Sequence, residues 1–136
     1  MLRAPSRATA KGGVLFGIGL DLVDIPRFAG ALARRPALRE RLFTQAELMY
    51  AGTLADPAPS LAARFAAKEA VMKALGVGLG AFAFSEVEVQ RQSTGEPRLV
   101  LSGRAAHLAC ERTVQRWFVS LTHTSTTAAA VVLALS

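Results

Sequence analysis

The chain has 136 residues, 51% of them apolar and 7% aromatic, which is enough for one domain-sized core of small aliphatic side chains. The net charge of +6 and the arginine surplus indicate an anionic partner: a nucleotide, a nucleic acid or an acidic protein. The longest apolar run, Ala128–Leu135, is too short to span a membrane, and a lone cysteine excludes an internal disulfide. These features favour a cytoplasmic protein without a membrane partner, and Cys110 is expected to fill core space.

The first 13 residues carry basic side chains but no acid, and they lack the apolar segment of a secretory signal. We expect residues 1–13 to be a disordered extension and residues 14–136 to be a single domain.

The first element of that domain is a strand predicted over residues 14–23. Phe16, Ile18, Leu20 and Leu22 fall on one face, whereas Gly17, Gly19 and Asp21 fall on the other. The second face is almost bare, so we expect a ligand to approach the backbone there, next to the carboxylate.

A helix over residues 26–35 follows, with Pro26 at a position that suits a first turn, and a short helix to Leu42 comes after Pro36. Thr44 and Glu47 have the spacing of a capping box and predict another helix, which fades by Gly52.

The longest helix is predicted over residues 61–75, with Ser60 as N-cap and Gly76 at the C-terminus. One stripe of this helix is all alanine, which predicts a close approach to its neighbour: Ala63, Ala66, Ala67, Ala70 and Ala74.

Charged residues occupy two other edges of the same helix: Glu69 with Lys73, and Arg64 with Lys68. From spacing alone, a solvated face with an ordinary Glu–Lys pair is the favoured interpretation. The glycine loop after the helix and the carboxylate of Asp21 favour a magnesium site instead, since two oxygen ligands beside cations can hold Mg²⁺ against phosphate.

The remaining pattern predicts strands over residues 84–91 and 97–102 joined by a turn, a helix over 103–115, and a hairpin of strands 117–123 and 127–135. The predicted fold class is therefore α+β, with a small, largely antiparallel sheet and helices packed on it.

Five motifs then occur in order: GIGLDLVDIPRF, LFTQAEL, ARFAAKEAVMKALG, TGEPRLVLSG, and VSLTH before an alanine-rich last strand. Together, over nearly all of residues 17–135, they resemble the short, single-domain holo-acyl-carrier-protein synthases. The resemblance implies a 4′-phosphopantetheinyl transferase fold and a homotrimer with active sites shared between subunits. It also implies Mg²⁺-dependent transfer of 4′-phosphopantetheine from coenzyme A to a serine of apo acyl carrier protein, in fatty acid or polyketide biosynthesis.

The resemblance implies catalytic roles for four residues. Asp21 and Glu69 match the two magnesium ligands, Lys73 matches a lysine near the scissile pyrophosphate, and His123 matches a histidine of the same site. Asp24 matches an acid that touches the metal through water.

Substrate-binding roles follow from the same resemblance. Arg64, Lys68 and the glycine loop containing Gly76 and Gly78 match the region around the coenzyme A nucleotide, which His123 also contacts. Arg27 matches a basic residue that docks the acidic carrier.

Some alternatives stay open. Thr124 stands where some relatives have an acid after the histidine, so the general base is unassigned, with water as the favoured candidate. A coenzyme A or nucleotide-binding module would not need both Asp21 and Glu69, which argues against it. A nucleic-acid protein is disfavoured because strands that interleave aromatic and basic residues are absent from the sequence.

Overall fold

The computed structural model describes residues 13–136, so the predicted disorder of residues 1–12 lies outside the described part. The elements are β1 (Leu15–Asp24), α1 (Ile25–Arg34), α2 (Leu38–Leu42), α3 (Gln45–Ala51), α4 (Ala58–Leu75), β2 (Val87–Arg91), β3 (Pro97–Leu101), α5 (Gly103–Glu111), β4 (Arg116–His123) and β5 (Thr127–Leu135). All strand pairs are antiparallel and helices pack against them, which confirms the predicted α+β class.

The strands form two sheets, where the sequence predicted one. β1, β5 and β4 make a three-stranded sheet in that order, and β2 and β3 make a separate hairpin. In the larger sheet Asp21 pairs with Ala130, which in turn pairs with Leu121. The last strand is therefore central, and the first strand lies at an edge.

Helix α4 lies directly on the glycines of β1. A Cβ atom added to Gly17 would overlap the carbonyl oxygen of Ala74, and one added to Gly19 would overlap that of Ala70. The alanine stripe and the two glycines thus permit a backbone-to-backbone contact, as the stripe predicted. The expectation that a ligand approaches this bare face was wrong, because the helix occupies it.

The apolar face of β1 points the other way and is uncovered in a single chain. Ile18, Leu20 and Leu22 are 60%, 58% and 66% exposed. The alternation predicted two faces correctly, yet the small residues, rather than the large ones, face the core.

Several predicted boundaries shift. Helix α4 begins at Ala58, with Pro57 as N-cap, so Ser60 lies inside the helix and is not its cap. The strand predicted from residue 84 begins at Val87, after a turn of 3₁₀ helix over Phe84–Glu86. Helix α5 ends at Glu111, and Cys110 is exposed on it, which corrects its predicted core position.

Other local predictions hold. Thr44 accepts the N–H of Glu47, and Glu47 accepts the N–H of Thr44, so the capping box is present. Gly76 ends α4 with a φ of 72°, in the left-handed region that favours glycine. Among the helices of residues 13–136, none combines the length and apolar character needed to cross a membrane.

Candidate active site

Three predicted site residues meet where β1 crosses α4. The ammonium of Lys73 donates to Asp21 Oδ1 at 3.1 Å and to the carbonyl oxygen of Leu20 at 2.9 Å. Glu69 lies one helical turn before Lys73 and is half-buried. We term Asp21, Glu69 and Lys73 the carboxylate centre. The contact of α4 with Gly17 and Gly19 holds the two elements in register and so sets the spacing of this centre.

The surroundings of Glu69 disfavour its ionised form. Burial raises the pKa of Glu69 above its usual range, and the negative charge of Asp21 raises it further, while the positive charge of Lys73 acts in the opposite direction. The pKa of Glu69 is thus raised although Lys73 is nearby, and a second positive charge beside Glu69 would favour its ionised form.

The carboxylate centre fits a magnesium ion by its donors. Within residues 13–136 no group of three or more His, Cys, Asp or Glu side chains could hold a metal ion. The centre offers two carboxylates, those of Asp21 and Glu69. Mg²⁺ commonly takes one or two carboxylates and fills its remaining positions with water and substrate phosphate. The uncompensated negative charge on Glu69 is consistent with such a cation.

Asp24 has a different local partner. Its Oδ1 accepts the backbone N–H of Arg27 at 2.9 Å, which makes it the N-cap of α1. The cap orients α1 directly after β1 and leaves the side chain of Arg27 exposed at the protein surface.

A large cavity opens on the β4 side of α4, with a volume of about 780 Å³. Its wall joins the ends of α3 and α4, the β2–β3 turn and the last residues of β4. We term it the β4 pocket; its polar lining is Tyr50, Asp56, Ser60, Arg64, Arg91, Glu96, Ser120, Thr122 and His123. Arg64 and His123 thus line one cavity.

Arg64 is 5% exposed and has neutral partners in this pocket. One guanidinium nitrogen donates to the hydroxyl of Ser60 at 2.6 Å, and the group lies 4.8 Å from the ring centroid of Tyr50. Its Nε is buried without a hydrogen-bond partner. Burial lowers the pKa of Arg64, because removing a cation from water disfavours its charged form.

Lys68 does not reach the pocket. Its side chain is fully buried, and its ammonium donates to Glu47 Oε1 at 2.7 Å, to the carbonyl of Phe84 at 3.1 Å and to that of Val87. All three ammonium protons are used, so the predicted contact between Lys68 and a nucleotide is corrected. The residue instead ties α4 to α3 and to the start of β2.

The glycine loop lies at the other end of α4 from Arg64. Gly76 and Gly78 are exposed, and Arg64 is twelve residues earlier, about 18 Å along the helix. The loop does not line the β4 pocket and adjoins Lys73 instead. The predicted substrate-binding residues are therefore divided between two ends of one helix.

His123 and the carboxylate centre are also on separate strands. His123 ends β4, and β5 lies between that strand and β1, which places the two backbones about 10 Å apart. His123 is exposed, and its Nδ1 lies 3.2 Å from the carbonyl oxygen of Thr124.

Two residues of the β4 pocket are not identified by sequence patterns. Tyr50 and Arg91 belong to α3 and β2, whose sequence patterns predict secondary structure but no site. Their meeting depends on contacts across 41 residues of chain, and no local spacing signals it.

Comparisons with known proteins identify the family to which this fold and site belong. The profile described as the 4′-phosphopantetheinyl transferase superfamily matches residues 17–132. A holo-[acyl-carrier-protein] synthase of Moorella thermoacetica is 48% identical over 85% of this chain and 90% of its own length. That of Streptomyces griseus is 46% identical over 89% of this chain and 98% of its own length.

A solved structure agrees with these relatives. It is a holo-(acyl-carrier-protein) synthase from Bacillus anthracis in complex with CoA (3′,5′-ADP), 30% identical, with a TM-score of 0.76. The match covers 92% of this chain and 99% of that one. The chain belongs to the 4′-phosphopantetheinyl transferase superfamily, and within it to the enzymes of the holo-[acyl-carrier-protein] synthase family.

Proposed function

We propose that this enzyme transfers the 4′-phosphopantetheine group of coenzyme A to a serine of an apo acyl carrier protein. The observation that carries the proposal is the carboxylate centre, in which Asp21, Glu69 and Lys73 meet on a rigid contact between β1 and α4. The names of the relatives and the coenzyme A complex of the Bacillus anthracis protein support the substrates.

The reaction is a displacement at phosphorus. The serine oxygen of the carrier forms a new bond to the phosphorus that bears pantetheine, and the bond from that phosphorus to the bridging pyrophosphate oxygen breaks. Adenosine 3′,5′-bisphosphate leaves with the electron pair, and a water accepts the serine proton. Such transfers ask the protein mainly for positioning and charge neutralisation.

Lys73 is suited to the leaving group. Its side chain is 53% exposed, while the hydrogen bond from its ammonium to the carbonyl of Leu20 fixes the position of that group. We propose that it neutralises the charge that develops on the departing bisphosphate.

Asp21 and Glu69 would hold Mg²⁺, in keeping with the half-buried position of Glu69 beside the negative charge of Asp21. When bound, the ion supplies a positive charge that stabilises the pyrophosphate oxygens during the transfer. His123 and Arg64 belong to the proposed nucleotide-binding region because they line the same cavity. Gly76 and Gly78 remain proposed contacts at the Lys73 end of α4.

We further propose a homotrimer with shared active sites. The uncovered face of β1 carries large apolar side chains, a feature that in soluble proteins marks an interaction surface. The expected number of subunits, three, rests on the family resemblance. Assembly would place the β4 pocket of one subunit against the carboxylate centre of its neighbour, which would unite the divided substrate-binding residues.

Arg27 is the proposed docking residue for the acidic carrier. It is exposed on α1, in a region whose cations outnumber its acids: Arg27, Arg34, Arg35, Arg39 and Arg41, with Glu40 as the acid. Charge complementarity at such a surface accelerates encounter and sets orientation.

Replacing Arg27 with Glu should raise KM for the carrier about tenfold and leave KM for coenzyme A unchanged, because the change opposes only the carrier's charge. Steady-state kinetics with each substrate varied in turn measures both constants. A change confined to coenzyme A would rule out the docking role.

The proposal as a whole is tested by intact-mass measurement. Incubated with Mg²⁺ and coenzyme A, the protein should add about 340 Da to an apo carrier, the mass of one phosphopantetheine arm. A panel of carriers from fatty acid and polyketide pathways also addresses the pathway. If none gains mass, the proposed reaction is wrong.

The single domain over residues 14–136, the cytoplasmic location and the lack of a nucleic-acid partner stay predictions. So does the choice between fatty acid and polyketide service.

A further inference from the structure

Two guanidinium groups in the β4 pocket share one aromatic ring. Arg64 lies 4.8 Å from the centroid of the Tyr50 ring, and Arg91 lies 5.2 Å from it. Arg91 also donates a hydrogen bond to the hydroxyl of Tyr50. Three elements, α3, α4 and β2, supply these residues, so the arrangement depends on the tertiary fold. We term Arg64 and Arg91 the cation pair.

The cation pair can offer positive charge to a ligand in the pocket. Arg64 is nearly buried and is bonded to a neutral hydroxyl, and its Nε has no partner. Burial lowers the pKa of Arg64, Glu47 and Tyr50 act against that shift, and the charge of Arg91 adds to it as the smallest effect. Two like charges held beside one cavity favour a multiply charged anion, which an arginine fork binds well.

The chemistry of coenzyme A limits what that anion is. The molecule has a pyrophosphate, which must lie at the reacting centre, and one phosphate monoester on its ribose, which does not react. The β4 pocket is a cavity apart from the carboxylate centre of the same chain. A monoester dianion therefore matches the two positive charges of the cation pair.

We infer that Tyr50 is a positioning residue that holds Arg64 and Arg91 together, and that Arg91 is a specificity-determining contact for the ribose phosphate monoester of coenzyme A. The inference rests on the proposed function. Tyr50 acts through its ring, which both cations face, and through its hydroxyl, which fixes Arg91. It has no direct part in the reaction.

Four variants of the full chain test this inference. Arg91→Ala removes one cation, Tyr50→Leu removes ring and hydroxyl, and Tyr50→Phe keeps the ring alone. Arg98→Ala is the matched control, since it removes an exposed arginine from the adjacent strand β3 without touching the β4 pocket. Each is assayed for kcat and KM with coenzyme A and with 3′-dephospho-coenzyme A, and its fold is checked by circular dichroism.

We expect Arg91→Ala and Tyr50→Leu to raise KM for coenzyme A about tenfold, with kcat nearly unchanged. KM for the dephospho donor should stay constant, so that the preference between the donors collapses. Tyr50→Phe should lose less than Tyr50→Leu, because the ring still separates the two cations. Arg98→Ala should retain the parent preference. Equal losses with both donors, or an unchanged preference, would overturn the inference.

Calorimetry separates this inference from the proposed reaction. Adenosine 3′,5′-bisphosphate and adenosine 5′-phosphate are titrated into the parent and into Arg91→Ala. A parent preference for the bisphosphate that Arg91→Ala abolishes supports the cation pair even if no carrier is modified. A preference that survives in Arg91→Ala contradicts it even if transfer proceeds.

Discussion

Lys68 and Glu69 are adjacent in the chain and have opposite environments. The ammonium of Lys68 is sealed in the core with three acceptors, whereas Glu69 is half-buried beside a second carboxylate. A helix turns by about 100° per residue, so neighbours face different surroundings. The sequence showed two charged edges on α4, but only the fold determined which edge became core and which became the carboxylate centre.

The raised pKa of Glu69 predicts a pH effect on stability without metal. A carboxyl whose pKa is higher in the folded than in the unfolded state binds its proton more tightly when folded. That contribution to stability is complete below the unfolded pKa and is lost as pH rises through the folded pKa.

In EDTA, Glu69→Gln should therefore gain stability relative to the parent as pH rises above the ordinary pKa of a glutamate, about 4.3, by less than about 1 kcal/mol because the group is half-exposed. Urea unfolding at several pH values measures the difference. With Mg²⁺ added, the order should reverse, since only the parent retains both proposed ligands. A difference that does not vary with pH in EDTA would contradict the raised pKa.

At the scale of elements, one buried ion pair joins α3, α4 and β2. Glu47 closes the capping box of α3, accepts from Lys68, and accepts the N–H of Val89 at 3.0 Å. Burial lowers the pKa of Lys68, and the charge of Glu47 opposes that shift. A buried pair of this kind costs desolvation, so its loss is felt mainly as an uncompensated charge.

Lys68→Met should lower the free energy of unfolding by about 3–5 kcal/mol, because Glu47 is left buried and unpaired. Adding Glu47→Gln should recover part of that loss. Lys73→Met is the matched control on the same helix, and its exposed ammonium should cost less than about 1 kcal/mol. Urea denaturation gives all four values. Equal costs for the two lysine variants would show that burial of the pair contributes little.

Local sequence patterns predict most of the helices and strands. They do not predict which face of an element is buried, because that depends on the elements that pack against it. The alternation in β1 gave both faces, but whether Gly17 or Ile18 faces the core depends on what packs there. The sequence predicts Ser60 as the N-cap because Pro57 and Pro59 are typical of a loop. Proline is tolerated in the first helical turn, where its missing N–H costs nothing, so α4 could begin at Ala58.

The same distinction applies to the predicted site: some of its residues lie together as expected, and others do not. Asp21, Glu69 and Lys73 lie together because a strand and a helix with small residues at their contact bring them into reach. Lys68, which the resemblance placed with Arg64 around the coenzyme A nucleotide, lies in the core. Local sequence patterns do not identify Tyr50 and Arg91, because their contact joins α3 to β2 across 41 residues of chain.

At the scale of the whole molecule, the apolar face of β1 is exposed to solvent in a single chain, which is unfavourable for large apolar side chains. Ile18, Leu20 and Leu22 point away from α4 into solvent, along an edge strand. Coverage by other copies of the chain would bury them.

Ile18→Arg should disrupt the proposed trimer, because it places a charge within that apolar face. Met49→Arg is the control, as Met49 is similarly exposed, at 68% against 60%, but lies on α3. Sedimentation velocity should give a trimer for the parent and Met49→Arg, and smaller species for Ile18→Arg. A parent that sediments as a monomer would refute the shared-site proposal.

The central claim is that the carboxylate centre of β1 and α4 carries out transfer to a carrier. Intact-mass spectrometry of an apo carrier tests it most directly, with coenzyme A, Mg²⁺ and either the parent or Glu69→Ala. The parent should add about 340 Da, and the folded variant should add nothing in the same time. Conversion by Glu69→Ala at the parent's rate, or no conversion by the parent with any carrier, would contradict the account.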